Sequence, residues 1–337
     1  MNPYRIIGIE SSPYAVKVRA VMRYRRLAHL WVARMPQFFD ETQAVRPLLM
    51  PVVQYPDGEY RTDSTSIIRD LEARHPGVRS VMPADPGLAF LCDLIEDMAD
   101  EWLTKCVFHY RFSHAEDQKT AAAWVMDDAH PDLTAAALAD HADAFMARQI
   151  ARMPLVGCTP ANAPLHEGFF TQLLACLEAF VATDRFLFGS RPSLADFGLY
   201  GQLTTLAADP TPGALMRATA PRTGHWVRRL DDTSGVDGEW LQPDQLAPAV
   251  EGLLGLAGSY YLPYLAAHQR ALDAGAETVN VELAGRHYRQ QVFRFHGKCW
   301  SYLLHAYAAL PDAARSRIAP LLDRTGCHRI LTAAVAG

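Results

Sequence analysis

Three short stretches near the start of the chain hold side chains whose types and order suit one piece of chemistry. In GIESSPYAVKVR, residues 8–19, an apolar run ends, two serines and Pro13 follow, and a basic amphipathic segment begins. The Ser12 hydroxyl then stands at a helix start, where unpaired N–H groups and the helix dipole favour negative charge. A thiolate suits that place. Ser12 before Pro13 is also an ordinary cap with an N1 proline, and the two roles are compatible, because one hydroxyl accepts from helix N–H groups while donating to an anion. Ser11 reads as a turn residue. In LLMPVVQY, Pro51 opens a strand, where its missing N–H costs no ladder bond. If the Met50–Pro51 bond is cis, Met50 turns its own N–H and C=O outward to pair with an extended peptide. Asp63–Ser64 opens another helix, so that Ser64 and the adjacent N–H groups make a nest for a carboxylate while Asp63 faces an ammonium.

The elements that must position these groups follow from periodicity and turn chemistry. Residues 4–9 read as a buried strand, and the helix from Ser12–Pro13 places Tyr14, Val18, Val21 and Met22 on one face. A second strand is expected at 29–34, then a hairpin with strands 51–55 and 59–62 around the turn Pro56-Asp57-Gly58. From Asp63 the pattern is helical, with Ile67, Ile68 and Leu71 on one face. After a break near 80–86 the character changes: helices are expected at 87–111, 134–152, 165–183 and 193–207, with no strand alternation. A third block holds an apolar helical run at 246–274, a hairpin within TVNVELAGRHYRQQVFRF, and helices at 298–309 and 311–323.

The chain's 337 residues, half of them hydrophobic, allow more than one domain, and a net charge of −5 offers no global field for nucleic acid or an anionic membrane. There is no secretory or transit signature and no membrane-length apolar run, so a cytoplasmic protein is expected. The six cysteines are scattered without a CxxC pair, and they read as buried thiols rather than metal ligands. No GxGxxG, GxxxxGK[ST], HExxH or GxSxG is present, which removes the local signatures of dinucleotide, nucleotide, zinc-protease and α/β-hydrolase sites. Neither a metal nor a nucleic acid is expected.

The series SSPYAVKVR, MPVV and DSTSI, in that order and spacing, resembles the glutathione-binding domain of the glutathione S-transferase family, in a bacterial, serine-type form. FLFGSRPSLADFGLYGQL, residues 186–203, is similar to the family's buried helix, with a capping box of Ser193 and Asp196. The resemblance covers about residues 4–230. It implies a thioredoxin-like α/β domain at 1–80, an all-helical domain at 87–235, and an α+β extension at 236–337 that a typical member lacks. It implies that Ser12 hydrogen-bonds the glutathione sulfur as the catalytic residue. Met50, with Pro51, would pair with the cysteinyl backbone, and Asp63 and Ser64 would take the γ-glutamyl ammonium and carboxylate. Glutathione would be the co-substrate, a small apolar electrophile the partner, and a homodimer the assembly. Two departures stand out: Asp63 where many members have Glu, and Leu48–Leu49 where a Lys precedes the cis proline. The alternative is a non-catalytic binding or scaffolding protein on the same fold. Tyr14, Phe108, His109, Tyr110, Trp124 and Tyr200 are candidate walls of an electrophile pocket, with core packing as the competing reading, and Cys106 has nothing nearby to activate it.

Overall fold

A computed structural model describes residues 2–47, 49–77, 79–181, 185–242, 245–246 and 248–335. Its first part is a four-stranded sheet of order β2-β1-β3-β4, made of β1 (Tyr4–Gly8), β2 (His29–Ala33), β3 (Val52–Gln54) and β4 (Tyr60–Thr62). β1 and β2 run parallel because α1 (Pro13–Tyr24) carries the chain across, and β3 and β4 pair antiparallel around the turn at Gly58, whose φ is +93°. A short helix, α2 (Phe39–Thr42), lies between β2 and β3, and α3 (Ser64–Arg74) follows β4. This is the expected thioredoxin-like arrangement, with strand ends within one or two residues of the sequence reading.

Helices follow: α4 (Pro86–Met98), α5 (Thr104–Ser113), α6 (Ala115–Ala129), α7 (Ala135–Arg152), α8 (Ala163–Phe180), α9 (Leu194–Ala208), α10 (Pro210–Thr219) and α11 (Pro221–Leu230). The sequence reading misses α6, α10 and α11, and a π-helical turn at Ala99–Leu103 splits its first long helix. The end expected for α8 falls on Ala182 and Thr183, outside the described residues. The last block holds α12 (Pro248–Leu256), α13 (Leu262–Asp273), the hairpin β5 (Thr278–Leu283) and β6 (Arg286–Gln291), then α14 (Arg294–Ala308), α15 (Asp312–Arg324) and α16 (Cys327–Val335).

α9 is the spine. Its capping box forms, the Ser193 N–H donating to Asp196 at 2.8 Å and the Asp196 N–H to Ser193 Oγ at 3.4 Å, and Asp196 also takes the Leu187 N–H at 3.0 Å. α1 packs directly on α9 at Gly201, where a Cβ would come within 2.6 Å of the Pro13 carbonyl oxygen. With the sheet on its other side, α1 is buried all round, including Lys17, which the amphipathic pattern leaves on the polar face.

The Lys17 ammonium donates to Asp100 at 2.6 Å and pairs with Glu96, both on the α4 side, while Thr65 of α3 donates to Glu96 at 2.7 Å. A single buried cation therefore ties α1 and α3 to the helical part. Lys17→Met removes the partner of two buried carboxylates and should cost about 3–5 kcal/mol in denaturant unfolding, whereas a neutral triple replacement of Lys17, Glu96 and Asp100 should recover most of it.

The final block joins the same apolar core rather than hanging from it. Trp102, fully buried, is ringed by Phe169 and by Tyr260, Tyr264 and Tyr288 of that block. α4 meets it turn after turn: Asp85 pairs with Arg317, Asp93 accepts from Tyr302 at 2.9 Å, and Asp97 accepts from Tyr261 at 2.6 Å.

Candidate functional site

The sheet register gathers the three stretches. Ile7 of β1 lies opposite Val52 of β3, and Val52 lies opposite Thr62 of β4. The turn after β1, the segment before β3 and the residues after β4 must therefore share one end of the sheet, and they carry Ser12, Met50–Pro51 and Asp63–Ser64.

Ser12 caps α1 as expected, with extended φ, ψ of −94°, 114° and its Oγ accepting from the Ala15 N–H at 3.4 Å; 9% of the residue stays exposed. The Met50–Pro51 bond is cis, and a second cis bond lies at Arg46–Pro47. The β3 ladder starts at Val52, so Met50 stands outside it. The Thr62 hydroxyl, unforeseen in the sequence, donates to the carbonyls of Leu49 at 3.2 Å and Pro51 at 3.3 Å and pins that segment. Leu49 is exposed, and Leu48 lies outside the described residues.

Asp63 caps α3 through the Ser66 N–H at 3.1 Å. Its backbone sits at φ 76°, ψ 109°, a region costing a non-glycine residue about 1–3 kcal/mol, the kind of strain found at ligand clamps. The adjacent Ser64 is buried as the first residue of α3, where the N–H groups are free to receive an anion.

The helical part closes on this end of the sheet. The Ser11 N–H donates to Asp128 of α6 at 2.7 Å, and the Ser11 carbonyl accepts from Arg111 of α5 at 3.3 Å. Arg111 is itself held by Asp209 through two bonds of 2.9 and 3.0 Å. Beside them Ile9 and Met50 pack with Val125 and Met126 of α6 and Leu138 and Phe145 of α7, an apolar wall at the Ser12 end of the sheet. Sequence reasoning missed this wall because it missed α6, although Ala121, Ala122, Val125 and Met126 recur at helical spacing.

Most of the candidate wall aromatics serve elsewhere. Tyr14 donates to the Asp100 carbonyl at 2.9 Å, Tyr200 to Asp231 at 2.7 Å, and His109 bonds Glu167 at 3.0 Å. Tyr110 packs edge-on against Phe170, Phe108 against Phe112, and Trp124 lies under Arg111. Cys106 is buried, and burial pushes its thiol well up, as expected of an inert core cysteine.

The last block reaches Glu101, in the π-helical turn between α4 and α5. His296 Nε2 lies 3.5 Å from the Glu101 carboxylate. Tyr264 bonds His296 at 3.0 Å and donates to Gln290 at 3.1 Å, and Gln290 also accepts from Tyr288 at 2.7 Å and from Lys105 at 3.0 Å. Burial raises Glu101 to about 7, with Lys105 opposing and the nearby Asp63 charge adding to the rise. Burial lowers Lys105 to about 8 and holds His296 well below its usual range.

Residues 6–79 match the family model of the glutathione S-transferase N-terminal domain, and residues 163–229 match that of the glutathione S-transferase C-terminal domain. The chain thus carries segments similar to both domains of the glutathione S-transferase family. No curated protein matches the sequence. Among solved structures the chain is similar to the β-etherase LigF of Sphingobium sp. strain SYK-6, at 17% identity and a TM-score of 0.48, over 75% of this chain and 98% of that one. It is also similar to a glutathione S-transferase of Methylobacterium radiotolerans in complex with glutathione sulfonate, at 21% identity and a TM-score of 0.44, over 72% and 97% of the two chains. A third is the glutathione S-transferase of Methylobacillus flagellatus with glutathione bound, at 19% identity and a TM-score of 0.40, over 68% and 96%.

The raised Glu101 has a consequence for stability. The folded state binds its proton more tightly than the unfolded chain, so stability falls as pH rises from about 4.5 to the folded value of about 7 and is level beyond. Replacing Glu101 with Gln should flatten that limb by an amount of order 3 kcal/mol, read from urea midpoints at pH 5 and pH 8; parallel wild-type and variant profiles would mean that Glu101 ionises freely.

Proposed function

We propose that the protein binds glutathione at this end of the sheet and activates its thiol, as a glutathione transferase-type enzyme. The observation that carries the reading is the register that unites Ser12, Met50–Pro51 and Asp63–Ser64 at one end of the sheet. In this reading residues 1–80 bind glutathione, 87–235 wall the cleft, and 236–337 complete the core behind it.

The Ser12 hydroxyl donates to the glutathione sulfur at the positive end of α1. Lowering a thiol pKa by two units takes about 2.7 kcal/mol of preference for the thiolate. One charge-assisted hydrogen bond of about 1.5–3 kcal/mol, helped by a helix terminus, supplies that. The Met50 backbone takes the cysteinyl unit, the α3 N-terminus at Ser64 takes the γ-glutamyl carboxylate, and Asp63 takes the ammonium with the carboxylate oxygen that the Ser66 N–H leaves free. The sulfur then attacks a small apolar electrophile lying against Met50, Met126 and Phe145. The carbon–sulfur bond forms as the leaving group departs with its electron pair, and the thiol proton has already gone to solvent. An isomerisation assisted by the same thiolate fits the same groups.

Calorimetric titration with glutathione should give micromolar to millimolar binding that Ser64→Ala weakens. Ser12→Ala should lower turnover at least about tenfold, the loss of one hydrogen bond to a charge, with glutathione affinity little changed. Turnover unchanged in Ser12→Ala would refute the role of Ser12, binding without turnover would favour the non-catalytic reading, and no binding would refute the site.

A further inference from the structure

We propose that Asp128 is a positioning residue for Ser12, an inference that rests on the reading of Ser12 as the partner of the sulfur. Ser11, the residue before Ser12, is gripped on both sides by the helical part: its N–H, in the Glu10–Ser11 peptide, by the Asp128 carboxylate at 2.7 Å, and its carbonyl, in the Ser11–Ser12 peptide, by Arg111 at 3.3 Å. The two grips differ in character. Arg111 is locked, with both forks engaged by the fully buried carboxylate of Asp209. Asp128 sits near the end of α6, whose partner α7 has no buried residue, so this grip belongs to an arm that lies toward the surface.

The same arm supplies Val125, Met126, Leu138 and Phe145 to the apolar wall against Ile9 and Met50. Wall and grip are therefore one body: where the arm sits against the sheet fixes both the width of the electrophile cleft and the placement of the Glu10–Ser11 peptide, one residue before Ser12. The Ser12 hydroxyl, bonded within its own turn to Ala15 at 3.4 Å, takes its direction from the backbone that Ser11 hands on to it. Asp128 acts through Ser11 and touches neither the sulfur nor the electrophile. Its effect is on the alignment of the hydroxyl in the transition state, where small displacements of a reacting group are costly.

The test compares Asp128→Ala, which removes the acceptor, with Asp128→Asn, which keeps an oxygen for the Ser11 N–H. Three readouts are used: hydrogen exchange of the Ser11 amide, glutathione binding by calorimetry, and steady-state turnover of glutathione with chlorodinitrobenzene. Faster Ser11 exchange and a kcat lowered about tenfold or more in the Ala variant, with glutathione affinity within about threefold of wild type and recovery of both by Asn, is the expected result. Unchanged Ser11 exchange or unchanged kcat in the Ala variant, with glutathione binding intact, overturns the positioning role alone. A loss of kcat shared equally by Ala and Asn, or matched by a fall in melting temperature and in affinity, also overturns it and leaves Asp128 a fold residue. A wild type that binds no glutathione overturns the functional reading instead, and the role for Ser12 falls with it.

Discussion

One ammonium group holds the two halves of the molecule in register. Lys17 is fully buried between α1 and α4, and an unpaired cation there would carry a desolvation penalty of several kcal/mol. It is tolerated because Glu96 and Asp100 face it from the helical side and Thr65 bridges from α3. Two carboxylates share one cation, so one negative charge is in excess, and Asp100 is pushed up to about 7 chiefly by burial, against the pull of Lys17. Buried pairing of this kind adds less to stability than to geometry. The Lys17 position is five residues beyond Ser12, so fixing Lys17 fixes the azimuth of α1 and with it the end of the helix that carries Ser12.

Around that pin the rest is assembled by close approach. Gly201 lets α9 run against Pro13, and Gly8 lets α1 fold back over β1, where a Cβ would meet Ala15 at 2.8 Å. The strained Asp63, the hydroxyl of Thr62 and the clamp on Ser11 then set three backbone segments that cannot set themselves, since each lies outside the sheet ladder. The last hundred residues act on the same helix from the other side: their tyrosines close round Trp102 and their hydroxyls satisfy the carboxylates of α4 at Asp93 and Asp97. They belong to the fold, and His296 brings them within 3.5 Å of Glu101 in the turn between α4 and α5.

The groups legible in the sequence are those whose chemistry is local. A serine before an N1 proline, a proline opening a strand, an aspartate before a helix and a serine–aspartate capping box each state their own backbone geometry within four residues, and the structure has all of them. The edges of the first sheet followed from the same signals. What the sequence hides depends on contacts between distant segments. Lys17 looks like a solvated residue of an amphipathic helix until α9 and α4 enclose it. Tyr14 and Tyr200 look like pocket walls until their hydroxyls find Asp100 and Asp231. α6 is masked by a polar, alanine-rich composition in which only Ala121, Ala122, Val125 and Met126 are buried apolar residues, beside a buried Asp117, and with α6 went both the apolar wall and Asp128.

The central claim is that glutathione lies at the sheet end with its sulfur on Ser12. A crystal structure of the protein soaked with glutathione tests it most directly. The sulfur is expected within hydrogen-bonding reach of the Ser12 hydroxyl, the cysteinyl unit antiparallel to Met50, and the γ-glutamyl carboxylate on the N–H groups of Ser64 and Thr65. Glutathione bound elsewhere, or bound here with its sulfur turned away from Ser12, would contradict it.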